Sequence, residues 1–296
     1  MSPGPHASRR LALGTVQFGL PYGLANHRGQ VAYDEAAEIV TKAAVAGIDT
    51  IDTAIAYGTA EQCLGEIGIG NWRVVTKLPR IPNGAESVLD WIERTVSDSL
   101  ARLRVERIYA LMLHQPNDLL GPQGDVLYKA LEGLKDSGRI EKIGISVYSP
   151  HEIETICARY AIDLVQAPLN ILDRRLIETG WLDRLSHDGI ELHVRSVFLQ
   201  GLLLIPSNAR PAKFRRWQEL WNHWDTWLGR NNVTPLAACL RYALNLAGIG
   251  RVIVGVDSLV QFEEILKAAE GDLPQQPDGL YSNDLDLINP ARWAHI

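Results

Sequence analysis

The 296-residue chain predicts an α/β protein folded as a single (β/α)8 barrel, and three observations carry that prediction. Eight short apolar, β-branched runs recur at 11–14, 48–51, 74–77, 108–113, 140–145, 164–166, 190–194 and 252–255, the number of strands that a closed barrel needs. Helical patterns fill the gaps, and unbroken alternation of strand and helix selects a parallel sheet. Runs such as 109–113 are apolar on both faces, as a sheet covered on both sides requires. A doubly wound open sheet is the rival, but it should carry a glycine-rich turn after its first strand. The nearest glycine cluster, Gly65, Gly68 and Gly70, follows a helical segment and reads as a helix end and turn.

Residues 1–9 read as a flexible tail ahead of the first strand. The connection 15–32 is glycine-rich, holds Phe18 and Tyr22, and is longer than a plain turn, as functional or disordered loops are. After the third run, Val88, Ile92, Val96, Leu100 and Leu103 recur at spacings of three and four and put one apolar stripe on a helix. After the fifth, Ser149, Pro150 and Glu152 supply an N-cap, a first-turn proline and a capping-box carboxylate, and Thr234-Pro235 opens a later helix the same way. Between the seventh run and that helix lies an extra helical insertion, 206–233, whose Trp217, Trp221, Trp224 and Trp227 fall at helical spacing. It is either a helix that lays its tryptophans on the barrel or a lid or subunit contact, since tryptophan is enriched at interfaces. The segment 271–296 is polar, ends near Trp293, and is expected to pack back onto the barrel.

Composition narrows the function. A hydrophobic fraction of 46% supports a large core and excludes disorder as the main state. A net charge of -6, with only the short cluster Lys213, Arg215 and Arg216, argues against a nucleic-acid partner. No apolar run approaches the roughly 18 residues of a membrane span. The pair Arg9 and Arg10 lacks the continuous apolar stretch and cleavage site of an export signal. Cys63, Cys157 and Cys239 are scattered and odd in number, a reduced, cytoplasmic usage. Neither metal-ligand spacing nor a P-loop occurs.

In a barrel the C-terminal strand ends converge on one mouth. Asp52 follows the second run with Tyr57 in the loop beyond, Lys77 ends the third, and His114 ends the fourth. Singly, each has an ordinary explanation: a turn cap, a packing residue, a lysine reaching for water. Jointly they form a proton-transfer set. A tyrosine hydroxyl ionises at about pH 10 in water, too high for easy exchange at neutrality. A buried ammonium beside it favours the anion, and a carboxylate behind the ammonium preserves that charge. Tyr57 is the candidate general acid/base, Lys77 its perturber and Asp52 the partner of Lys77. His114 orients the substrate oxygen or shares the proton relay.

The strings Leu13-Gly14-Thr15, Asp52-Thr53-Ala54-Ile55-Ala56-Tyr57-Gly58, Val75-Thr76-Lys77 and Leu113-His114 resemble the motifs of aldo-keto reductases. The similarity continues in order through Ile143-Gly144-Ile145-Ser146, Leu164-Val165-Gln166, Gln200-Gly201-Leu202-Leu203 and Val252-Ile253-Val254-Gly255. The resemblance implies interconversion of an aldehyde or ketone and its alcohol by hydride exchange with NADPH, or alternatively NADH. It implies that Gly14, Thr15 and Asp52 meet the nicotinamide ribose and that Ser146 and Gln166 hold the carboxamide. Ser196, Val197, Phe198, Leu199 and Gly201 would line the pyrophosphate, and Gly255, Val256, Asp257, Ser258, Gln261 and Glu264 the adenosine part. Phe18, Tyr22, Tyr57 and His114 would surround a small carbonyl or sugar-like substrate.

Four positions depart from the family pattern. Val147 replaces an asparagine that serves the carboxamide. Arg195 replaces an aromatic ring that stacks on the nicotinamide; its guanidinium can also stack but disfavours the cationic oxidised ring. Asp257 stands where NADP-preferring members place a basic residue, and Ile265 replaces an asparagine near the adenine. Two other functions are weighed against the reductase. One is a catalytically weak, cofactor-binding regulatory protein on the same fold, which Val147 and Arg195 keep in view. The other is an aldolase using Lys77 as a Schiff base, which needs a deprotonated lysine that Asp52 opposes.

Overall fold

The computed structural model describes residues 7–24, 26–82, 84 and 87–296. Its elements run β1 (Leu11–Gly14), α1 (Tyr33–Val45), β2 (Thr50–Asp52), α2 (Ala60–Ile67), β3 (Arg73–Leu78), α3 (Val88–Leu103), β4 (Ile108–Leu113) and α4 (Gly124–Asp136). Then follow β5 (Ile140–Ser146), α5 (Pro150–Cys157), β6 (Leu164–Pro168), α6 (Arg175–Glu178), α7 (Trp181–His187) and β7 (Glu191–Arg195). The chain continues through α8 (Gln218–Asn231), α9 (Pro235–Asn245), β8 (Arg251–Gly255), α10 (Leu259–Ala268) and α11 (Leu285–Ile288). All strand pairs are parallel and follow chain order, and β8 closes onto β1 with Leu11 opposite Val252. This is the (β/α)8, or TIM, barrel. Strand side chains alternate, so one apolar set, Val75, Ala110, Met112 and Leu164, fills the barrel while a larger one joins its wall to the helices.

Local chemistry explains the helix starts. Ser87 accepts a hydrogen bond from the Asp90 N–H and opens α3, whose Val88, Ile92, Val96 and Leu103 are buried. At α5 Ser149 and Glu152 form the full reciprocal box, and at α9 Thr234 accepts from the Ala237 N–H; both helices carry proline in the first turn.

Two expectations are corrected. Of the proposed tail 1–9, residues 1–6 lie outside the described residues, but 7–9 are packed structure. Ala7 is buried, Ser8 donates to the Ala46 carbonyl at 2.9 Å, and the Arg10 guanidinium donates to the carbonyls of Leu244, Leu246 and Ile249 where α9 ends. Gly68, at a φ of 90°, does end α2, yet Gly65 lies inside that helix. The insertion after β7 makes short 3-10 turns, Ser207–Ala209 and Ala212–Trp217, and then α8. Trp221, Trp224 and Trp227 of this segment are buried, so its apolar face packs inward. The C-terminal segment clasps it: the Trp217 indole donates to Asp284 at 3.0 Å, that of Trp227 to the Gln275 carbonyl at 2.9 Å, and Lys213 to the Trp293 carbonyl at 2.6 Å. Among the described residues no helix is long and apolar enough to cross a membrane.

Candidate active site

The ends of β2 and β3 bring Asp52 and Lys77 together inside the barrel mouth. Lys77 is 1% exposed and Asp52 4%. The Lys77 Nζ donates to Asp52 Oδ1 at 2.7 Å and to the Thr53 carbonyl at 2.8 Å, and Gln166 Nε2 donates to Asp52 Oδ2 at 2.6 Å. Charges withdrawn this far from water persist only when paired and hydrogen-bonded, and here both carboxylate oxygens have partners. With its Nζ committed to the Asp52 carboxylate and the Thr53 carbonyl, Lys77 is poorly placed for Schiff-base chemistry, which needs a free amine.

Tyr57 and His114 sit above this pair. The Lys77 Nζ lies 5.2 Å from the centre of the Tyr57 ring, and the Tyr57 and His114 rings meet edge to face at 6.0 Å. Burial, helped by the Lys77 charge, lowers the His114 pKa from 6.5 to about 4, so the imidazole is neutral at pH 7. Two glycines fix the Tyr57 loop. A Cβ on Gly19 would stand 1.8 Å from the Tyr57 carbonyl oxygen, and one on Gly58, at a φ of 54°, 2.4 Å from that of Gly19. The loop after β1 therefore lies backbone to backbone on the loop after β2.

A cavity of about 630 Å³ starts at this mouth. It runs over the β7–β8 rim to the start of α9 and the first two turns of α10, where Pro235, Leu236, Gln261, Glu264 and Ile265 line it. Of the site residues expected from sequence, all line it except Phe18, Leu199, Val256 and Ser258. Phe18 corrects an expected substrate contact: the 3-10 turn Val16–Phe18 sends Gln17 to the cavity and Phe18 into the core. Leu199 and Val256 also bury their side chains in the core. Ser258 caps α10 by accepting from the Gln261 N–H at 3.2 Å. The Gln261 side chain accepts instead from the Asp257 N–H, one residue before the cap, so the reciprocal box is not formed.

Ser146 and Gln166 stand together, the serine hydroxyl 3.5 Å from the Gln166 side-chain oxygen. Arg195 lies over the Tyr148 ring at 4.4 Å and donates to the Val147 carbonyl at 2.9 Å; among the described residues no carboxylate pairs with it. Sequence reasoning missed Gln17, Asn26 and Tyr148, all on the cavity wall, which Gln200 of the loop after β7 also lines. For Gln17 and Asn26 the available signal was the length and glycine content of the 15–32 loop. Tyr22 accepts from Gln200 at 2.8 Å and the Leu24 N–H donates to the Gln200 carbonyl at 3.1 Å, which ties that loop to the one after β7. Among the described residues no His, Cys, Asp and Glu cluster could hold a metal.

A closed barrel with a long cavity and a tyrosine, histidine and lysine–carboxylate pair at its mouth has the architecture of a barrel oxidoreductase. The chain belongs to the aldo/keto reductase family, whose model matches residues 10–277. It is 28% identical over 232 residues to the 6-dehydroglucose reductase of Novosphingobium aromaticivorans, covering 70% of this chain and 74% of that protein. A shorter match, 27% over 157 residues, joins it to aldo-keto reductase YhdN of Bacillus subtilis and covers 48% of this chain and 46% of that one. The holo form of aldo-keto reductase AKR11C1 from Bacillus halodurans shares the fold, with a TM-score of 0.69 at 24% identity over 90% of this chain and 88% of that one. Family membership makes the protein a carbonyl oxidoreductase of the kind that uses a nicotinamide cofactor.

Proposed function

We propose that the protein interconverts a small, sugar-like aldehyde or ketone and its alcohol at the mouth formed by Tyr57, Lys77, Asp52 and His114. The observation that carries this is the buried Lys77–Asp52 pair at 2.7 Å beneath the Tyr57 ring. A bound nicotinamide dinucleotide supplies or receives the hydride. The cavity suits such a ligand: its volume lies within the 300–1,000 Å³ range usual for ligand pockets, and Gln17 Oε1 and Asp257 Oδ1 are buried without partners. Gly14, Thr15, Ser146 and Gln166 would hold its nicotinamide end, and the loop after β7 its pyrophosphate.

Tyr57 donates its proton to the substrate oxygen in reduction and recovers it in oxidation. Lys77 gives a fixed positive charge beside the oxygen on which negative charge develops. His114, neutral at pH 7, holds that oxygen by a hydrogen bond and does not compete as an acid. Tyr22 and Tyr148 at the rim suit a sugar ring, in keeping with similarity to a 6-dehydroglucose reductase. The three free cysteines support a cytoplasmic setting. Tyr57→Phe is expected to lower kcat for carbonyl reduction by about 10²- to 10⁴-fold while dinucleotide binding is kept. Turnover retained in that variant would remove Tyr57 from the chemistry.

A further inference from the structure

The proposed function fixes which end of the dinucleotide goes where. The reacting ring must sit beside Tyr57, so the adenosine end falls at the opposite extremity of the cavity, against Asp257, Gln261, Glu264 and Ile265. The two dinucleotides of this type differ only there. NADH presents a ribose 2′-hydroxyl, a hydrogen-bond donor, and NADPH a 2′-phosphate, a charged acceptor.

That end of the cavity is built from acceptors. Asp257 Oδ1 is buried with no partner, and burial raises the carboxyl's pKa against the opposing pull of the Gln261 and Gln17 side chains and of Arg28 and His27. Gln17, 9% exposed, also has an unpartnered side-chain oxygen. It lies over the end of β8, where a Cβ on Gly255 would come within 2.7 Å of that oxygen. Glu264 adds a second carboxylate to the wall. The lysine and arginine of the wall, Lys77 and Arg195, come from β3 and β7 at the barrel mouth, and Lys77 is already paired.

A phosphate would gain most from free N–H groups at the start of α10, and the protein's own oxygens already take three N–H groups there. The Leu259 N–H donates to Glu35 Oε1 at 3.1 Å, the Gln261 N–H to Ser258 at 3.2 Å, and the Asp257 N–H to Gln261 at 2.9 Å. The basic groups whose charge reaches Asp257, Arg28 and His27, come from the loop after β1, and Arg28 is exposed and paired with Glu35 at 3.6 Å. A dianion here would face two carboxylates, whereas a hydroxyl would donate to an oxygen that otherwise stays unpaired.

We infer that Asp257, supported by Gln17, selects the dinucleotide that lacks a 2′-phosphate, so that NADH is the cofactor. The inference rests on the nicotinamide reading of the cavity, and direct binding separates the two. Titrating the purified protein with NADH and with NADPH, followed by calorimetry, is expected to show NADH bound about tenfold or more tighter. Asp257→Asn, which keeps the shape and loses the charge, should narrow that ratio, and Asp257→Arg should reverse it. NADPH bound equally well or better by the wild type overturns the inference and leaves the nicotinamide reading standing. An NADH preference that survives in Asp257→Arg overturns the assignment to Asp257. Failure of the folded protein to bind either dinucleotide overturns the nicotinamide reading and this inference with it.

Discussion

His114 carries the sharpest pH consequence at the scale of single residues. Its folded pKa of about 4 lies below the 6.5 of an exposed imidazole, so as pH falls the unfolded chain takes up this proton first. The stability held by the neutral ring is complete above pH 6.5 and is lost between there and about pH 4, at most about 3 kcal/mol. Urea denaturation at pH 7 and pH 5 should therefore show a larger loss for the wild type than for His114→Gln; equal losses would place His114 in water. The four residues of the mouth were legible because each is a polar group at, or one loop beyond, the end of an apolar run. Phe18 was misplaced and Gln17 missed for one shared reason: loop length marks a segment as functional, but only the 3-10 turn decides which neighbour faces the cavity.

Secondary structure was most legible where period and cap agree. The runs 11–14 and 108–113 are β1 and β4 to the residue, and the α3 stripe and the α5 box form as spelled. β2 starts two residues later than its apolar run, because pairing with β3 begins only at Thr50. Gly65 shows what local pattern cannot reveal. It sits on α2 against α3, where a Cβ would meet the Arg102 carbonyl oxygen at 2.0 Å, a contact between residues remote in sequence. Gly65→Ala should push the helices apart and lower stability by about 1–3 kcal/mol, the range for overpacking. Gly133→Ala on the exposed face of α4, where nothing lies within 4 Å, should instead stabilise by about 0.5–1 kcal/mol. Chemical denaturation of the two variants gives shifts of opposite sign if close packing, and not helix propensity, explains Gly65.

Across the whole molecule, barrel closure followed from the number and alternation of runs, whereas the partnership between α8 and the C-terminal segment did not. Tryptophans at helical spacing gave a helix, but the groups that accept from its Trp217 and Trp227 indoles, the Asp284 carboxylate and the Gln275 carbonyl, lie 67 and 48 residues further along the chain, beyond the reach of sequence periodicity. Removing residues 271–296 should expose Trp217 and Trp227, shift tryptophan emission to the red and lower Tm by several degrees, since each buried aromatic lost costs about 3–5 kcal/mol. An unchanged spectrum would show that the clasp does not hold the insertion. The pairing of Leu11 with Val252 also has a consequence in time. A chain synthesised at about 5–20 residues per second presents β1 long before β8 exists. For tens of seconds the nascent protein holds its Tyr57, Lys77 and His114 residues but bares an unmatched strand edge, the kind of edge that recruits other chains. The interval of greatest exposure to aggregation, and of need for a chaperone, is thus set by where the last strand lies in the message and not by the chemistry at the mouth.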